Sequence, residues 1–208
     1  MKRPVEPSYR FYKGAYRVTR AAFWFIFRLD FIGKENIPPG AAMICSNHSS
    51  MIDPILIAFA FGIDSFIHFL AKVELFRTPV ISFIVIKLGA ISVNRDMMDV
   101  VTLKRTLEYF KNGEKVGIFP EGTRAQNADD VAAKSGAVKI AERAKVPLIP
   151  VFIPRRKGIF GKVQVIIGNP YTIEKPVGKR PPEEYPQLAE TLMKRIEALD
   201  PAVRVTGD

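Results

Sequence analysis

His48 directly follows a short apolar run, and Asp53 stands five positions later, just before Pro54. That spacing does not stack two side chains on one helix face. It does let a loop fold the carboxylate back onto the imidazole. A carboxylate on one ring nitrogen fixes the tautomer and raises the basicity of the ring, so the other nitrogen can take a proton from an alcohol. If the substrate hydroxyl is itself the nucleophile, no catalytic serine is required. The same residues also have a plainer reading: Asp53 as an ordinary N-cap with proline at the first helical position, and His48 as a hydrogen-bonded loop residue.

A second polar group, Phe119-Pro120-Glu121-Gly122-Thr123-Arg124, follows another apolar run. Glu121 can accept hydrogen bonds from hydroxyls, Gly122 permits close backbone approach, and Arg124 can grip a phosphate through two parallel hydrogen bonds. In isolation the segment reads equally well as a turn with a surface ion pair. A third run ends at Asn94-Arg95, where the arginine is either a rim cation or a solvated charge at a strand end.

These residues need a frame. Short apolar runs at 29–32, 42–46, 66–71, 90–93, 116–119, 148–153 and 163–167 read as strands. Stretches 54–61, 79–87, 97–112, 132–144 and 183–198 read as helices. The alternation predicts one α/β domain with a largely parallel or mixed central sheet flanked by helices, the last two strands pairing as a hairpin around 154–161. In such folds ligands collect where strands end and helices begin, which is where the three polar groups fall.

Residues 7–28 read as a separate helix. Arg10, Lys13, Arg17 and Arg20 share one face, and residues 21–27 are apolar all round. Basic on one side and aromatic on the other is the pattern of a helix lying in a membrane interface, preferred here over a helix that merely docks on the core. The domain division expected is therefore a membrane-associating helix at 1–28 and a catalytic domain at 29–208. The apolar run is far shorter than the ~20 residues that span a bilayer, and no cleavable signal is expected. The apolar stretch Phe76, Ile81, Phe83, Ile84 and Ile86 reads chiefly as core, with an acyl-chain tunnel or a lipid-facing surface as alternatives. The basic turn around Arg155-Arg156-Lys157 and Lys162 offers contacts to lipid headgroups, coenzyme phosphates or an acidic carrier protein.

Composition is consistent with this frame. The 208 residues suit one core, and the formal net charge of +10 suggests an anionic partner. The single cysteine, Cys45, rules out an intrachain disulfide and reads as a core residue. His68, inside an apolar strand pattern, reads as structural.

In order along the chain, these pieces resemble the glycerolipid acyltransferases, the family of 1-acylglycerol-3-phosphate acyltransferase. His48-Ser49-Ser50-Met51-Ile52-Asp53 looks like the family's HxxxxD motif. Gly89-Ala90-Ile91-Ser92-Val93-Asn94-Arg95 is similar to its second block, with mild departures at Ser92 and Asn94. Phe119-Pro120-Glu121-Gly122-Thr123-Arg124 matches the third, and Val146-Pro147-Leu148-Ile149-Pro150-Val151 resembles the fourth. Ala71-Lys72-Val73-Glu74-Leu75 resembles a segment between the first two blocks. The resemblance spans roughly residues 29–170. It implies a general base at His48 oriented by Asp53, and a phosphate bound by Arg95 and Arg124 with Lys72 as a third cation. It further implies that Glu121 contacts glycerol hydroxyls, with Gly122 and Thr123 completing that segment. The donor would be an acyl-CoA or acyl carrier protein thioester, with no metal and no separate cofactor. The acceptor would be a membrane lysophosphatidic acid, met by a peripheral or monotopic enzyme on the cytoplasmic face of the membrane.

Rival readings remain at this level. Within the class, glycerol-3-phosphate or another lysolipid could be the acceptor. A nonenzymatic basic protein is suggested by charge alone, but no nucleic-acid motif is present and the aromatics do not interleave with the bases, so no nucleic-acid partner is expected. A hydrolase acting through His48 lacks a G-x-S-x-G turn.

Overall fold

The computed structural model describes residues 6–93, 100–125, 133–174, 176 and 178–205. Seven strands form one sheet: β1 (Arg28–Ile32), β2 (Ala42–Ser46), β3 (Ile67–Lys72), β4 (Ile91–Val93), β5 (Lys115–Ile118), β6 (Leu148–Phe152) and β7 (Lys162–Ile167). Their spatial order is β1-β7-β6-β2-β5-β3-β4. Every pair is parallel except β6–β7, which pairs antiparallel at Val151–Ile167 and Phe152–Ile166, the hairpin expected from the sequence.

β2 and β6 are buried along their whole length, because helices cover both faces. Alternation along β2 divides the core: Met43 and Cys45 face one side, Ala42 and Ile44 the other. The first side packs on α4 (Val100–Lys111), α5 (Gly136–Ala144) and α6 (Glu184–Glu197). The second packs on α2 (Asp53–Phe61), behind which lies α1 (Tyr9–Ile26). A short α7 (Pro201–Val205), not foreseen in the sequence, follows α6. Cys45 and His68 are core residues as expected. His68 lies 3.0 Å from the Gly89 carbonyl and 2.9 Å from Glu114, and stacks on Tyr109, away from the polar loops.

α1 starts at an N-cap, Ser8, whose hydroxyl accepts the Phe11 N–H at 3.3 Å. It does two jobs. Tyr12 is buried and donates to the Ser65 carbonyl, while Tyr16 and Phe23 pack edge-on against Phe59 of α2. Its last turn leaves Trp24 72% and Phe25 71% exposed. The docking reading of this helix is thus realised at Tyr12, Tyr16 and Phe23, while Trp24 and Phe25 stay uncovered.

α3 (Pro79–Lys87) corrects an expectation. Its apolar residues were read chiefly as core, yet it buries none, and Val80, Ile81, Phe83 and Ile84 are exposed. A helix apolar on every face carries no periodicity to separate a core role from a surface one. No helix among the described residues is long and apolar enough to cross a membrane.

Candidate active site

Five adjacent strands, β6, β2, β5, β3 and β4, run parallel, so their C-terminal ends share one edge of the sheet. His48 leaves β2, the Phe119–Arg124 segment leaves β5, Lys72 ends β3, and residues 154–157 leave β6. The expected convergence of polar loops follows from this. Arg95, expected on the same rim after β4, lies outside the described residues.

The 47–53 loop is pinned at both ends. The Asn47 side chain donates to the Ile153 carbonyl at 2.7 Å and accepts the Ile153 N–H at 2.9 Å, tying the loop to the end of β6. The His48 carbonyl accepts the Ala125 N–H at 2.8 Å, and the His48 N–H donates to Glu121 Oε2 at 3.1 Å. Between these anchors Asp53 turns back as expected: its Oδ2 lies 3.0 Å from His48 Nδ1 and accepts the N–H groups of Ser49 and Ser50, both at 2.8 Å. Ser49 and Ser50 precede α2, so the carboxylate organises the histidine loop instead of capping the helix that begins with it. Its other oxygen, Oδ1, lies 2.9 Å from the Lys157 ammonium, which also donates to Ser49 Oγ at 2.9 Å. Asp53 is fully buried. Burial pushes its carboxyl up, but the His48 hydrogen bond, the Lys157 charge and the Ser50 N–H together hold it below the usual carboxylate range.

With Nδ1 committed to Asp53, Nε2 is the nitrogen left for chemistry. The imidazole stacks on Phe119, with ring centroids 4.0 Å apart, and lines a cavity of about 480 Å³. Lys72, Arg124, Lys134 and Lys139 bring positive charge to the same cavity, and Met51, Phe69, Leu70, Leu75, Val93 and Phe119 supply an apolar wall. Gly117 in β5 makes room for that wall, because a Cβ there would stand 2.4 Å from the Phe69 ring. Gly122 has φ +67°, and a Cβ on it would meet the Lys134 side chain at 2.9 Å, so both its backbone and its bareness serve the turn.

Of the residues expected to bind substrate, Lys72, Gly122 and Arg124 line the cavity with His48, while Thr123 is exposed and does not. Glu121, expected to contact hydroxyls of the substrate, is 2% exposed and is used elsewhere. Its Oε1 pairs with Arg155 Nη2 at 2.7 Å, and Arg155 also reaches Glu197 at 2.7 Å and the Ala125 carbonyl at 3.1 Å. Burial pushes the Glu121 carboxyl up further than Arg155 pulls it down. Arg155 and Lys157, read from the sequence as part of a basic surface loop, are turned inward to carboxylates. Arg156, Gly158, Ile159, Phe160 and Lys162 remain exposed. Sequence reasoning passed over Lys157, Arg155, Phe119 and Lys134 as parts of the site. Placing β6 beside β2 would have put Arg155 and Lys157 on the catalytic rim.

A family model described as acyltransferase matches residues 28–154. The chain is 35% identical over 174 residues to a 1-acyl-sn-glycerol-3-phosphate acyltransferase of Bacillus subtilis, covering 80% of this chain and 85% of that protein. It is 32% identical over 133 residues to the protein of the same name in Borreliella burgdorferi, covering 62% of this chain but 52% of that one. The crystal structure of the 1-acyl-sn-glycerophosphate (LPA) acyltransferase PlsC from Thermotoga maritima superposes with a TM-score of 0.66 at 29% identity, over 92% of this chain and 79% of that chain.

Proposed function

The chain belongs to the acyltransferase family, and from that premise we propose that it transfers a fatty acyl group from a thioester to the free hydroxyl of 1-acylglycerol-3-phosphate, forming phosphatidic acid. The observation that carries this reading is the 3.0 Å contact between His48 Nδ1 and Asp53 Oδ2 beside a cavity lined by both cations and apolar side chains. A lysophosphatidic acid calls on both, with its phosphate, its hydroxyl and its acyl chain.

The geometry supports the following steps. The acceptor phosphate is held by Arg124 and Lys72, and the acyl chain lies along the Phe69–Leu75 wall. His48 Nε2 takes the proton of the acceptor hydroxyl as its oxygen attacks the thioester carbonyl. Asp53 keeps the tautomer and stabilises the imidazolium that forms. The tetrahedral intermediate collapses by breaking the carbon–sulfur bond, and the thiolate leaves with the proton from His48. The ester stays on the acceptor and the thiol departs, as coenzyme A or as the pantetheine of a carrier protein. No serine is acylated.

The substrate and product are lipids, so the enzyme works at a membrane surface. Trp24, Phe25 and Ile26 are exposed at the end of α1, and the Phe160 N–H donates to the Ile26 carbonyl at 2.7 Å, bringing Ile159 and Phe160 beside them. Phe160 holds φ +60°, a conformation unfavourable for a bulky residue. We infer that this exposed cluster seats the protein peripherally on the cytoplasmic leaflet, with α3 alongside α1 through Phe83 and Phe11.

The test is an acceptor panel. Purified protein is given acyl-CoA or acyl-carrier thioester with lysophosphatidic acid, glycerol-3-phosphate, lysophosphatidylcholine or water as acceptor. Phosphatidic acid as the dominant product supports the reading. Acylated glycerol-3-phosphate as the dominant product, or thioester hydrolysis alone, overturns it.

A further inference from the structure

We propose that Lys157 is a positioning residue for the His48–Asp53 pair, locking the carboxylate in the orientation that holds the imidazole. The proposal rests on the acyl-transfer reading above.

Asp53 faces three hydrogen-bonding groups and one ammonium. Oδ2 takes His48 Nδ1 and the Ser49 and Ser50 N–H groups, while Oδ1 faces Lys157 at 2.9 Å. The Lys157 side chain is 5% exposed and Asp53 is 0% exposed, so neither charge has water as an alternative partner. The lysine reaches Asp53 out of the turn after β6, and its hydrogen bond to Ser49 Oγ closes a ring of lysine, serine and aspartate beside the histidine loop. Without Lys157, Oδ1 would be buried beside no cation and the carboxylate could rotate away from the imidazole.

The test compares Lys157→Met and Lys157→Arg with wild type, measuring thermal unfolding, kcat and both KM values. Lys157→Met is expected to lower kcat by at least about tenfold with KM values little changed. Lys157→Arg should restore most of the lost kcat. On an Asp53→Asn background, Lys157→Met should add little further loss, because the two residues act as one unit. Lys157→Gln, which keeps a donor without the charge, takes the place of Lys157→Met if that variant does not fold. Lower thermal stability with unchanged kcat per folded molecule would overturn the proposal, as would losses that multiply in the double variant. Wild-type protein inactive toward every acceptor would instead sink the acyl-transfer reading.

Discussion

Glu121 and Arg155 join two strand exits through one contact: Arg155 Nη2 lies 2.7 Å from Glu121 Oε1, and Glu121 passes the restraint on to the His48 N–H. Both side chains are largely buried, 1% and 11% exposed. Removing one partner of such a pair leaves the other charge stranded, at a cost of roughly 3–5 kcal/mol. Arg155→Ala should therefore lower stability in urea unfolding by about that much, and pairing Arg155→Met with Glu121→Gln should recover most of it. A loss below about 1 kcal/mol in the single variant would show that water screens the pair.

Asp53 makes stability depend on acid. Its folded carboxyl is held below the unfolded value of 3.8, with burial opposing and the His48 and Lys157 contacts prevailing. A depressed carboxyl adds stability that is complete above the unfolded value and lost as pH falls through the folded one. The gap in unfolding free energy between wild type and Asp53→Asn should hold steady above about pH 5 and narrow below about pH 4. Curves that run parallel to lower pH would mean that Asp53 does not titrate in that window.

Lys72 and Arg124 should reveal themselves in the acceptor. Each charge-assisted hydrogen bond to a phosphate is worth about 1.5–3 kcal/mol. Lys72→Ala and Arg124→Ala are then expected to raise the KM for lysophosphatidic acid roughly tenfold to a hundredfold, and that for the thioester much less. An equal rise for an acceptor without phosphate would assign these cations to the donor or to the fold.

Locality decides how much of this site can be read in a sequence. His48 and Asp53 are five residues apart, so a single loop can bring them together, and their types and spacing raised that pairing beside the plainer capping reading, which the order of the motifs along the chain then outweighed. Lys157 reaches the same loop from 108 residues away, measured at Ser49, and Arg155 meets Glu121 across 34. Such partners follow only from strand order, and a list of strands does not contain the order. Glu121 illustrates the consequence: on a strand exit it reads as a substrate ligand, and only its buried partners reveal an anchor. The strands themselves were legible because buried parallel strands are continuous apolar runs bounded by polar turns. α3 failed the same logic, since an apolar helix looks alike whether it faces core or lipid.

Trp24 offers a test of the proposed membrane contact. It is the single tryptophan and is 72% exposed in the free protein. Adding anionic vesicles should shift its emission to the blue and make it quenchable by shallow lipid-borne quenchers. High salt should weaken that response without abolishing it, because headgroup attraction is screened and apolar insertion is not. Replacing Ile159 and Phe160 by serine should reduce vesicle binding further. An emission spectrum indifferent to lipid would move the contact elsewhere, with α3 the next surface to probe.

The account turns on His48 as the base. Steady-state transfer from an acyl thioester to lysophosphatidic acid, measured for wild type and for His48→Ala with folding checked by circular dichroism, tests it most directly. Loss of a general base costs on the order of 10²–10⁴ in rate, so the account predicts a folded variant whose phosphatidic acid production falls by at least about a hundredfold. A folded His48→Ala protein that forms phosphatidic acid at close to the wild-type rate would contradict it.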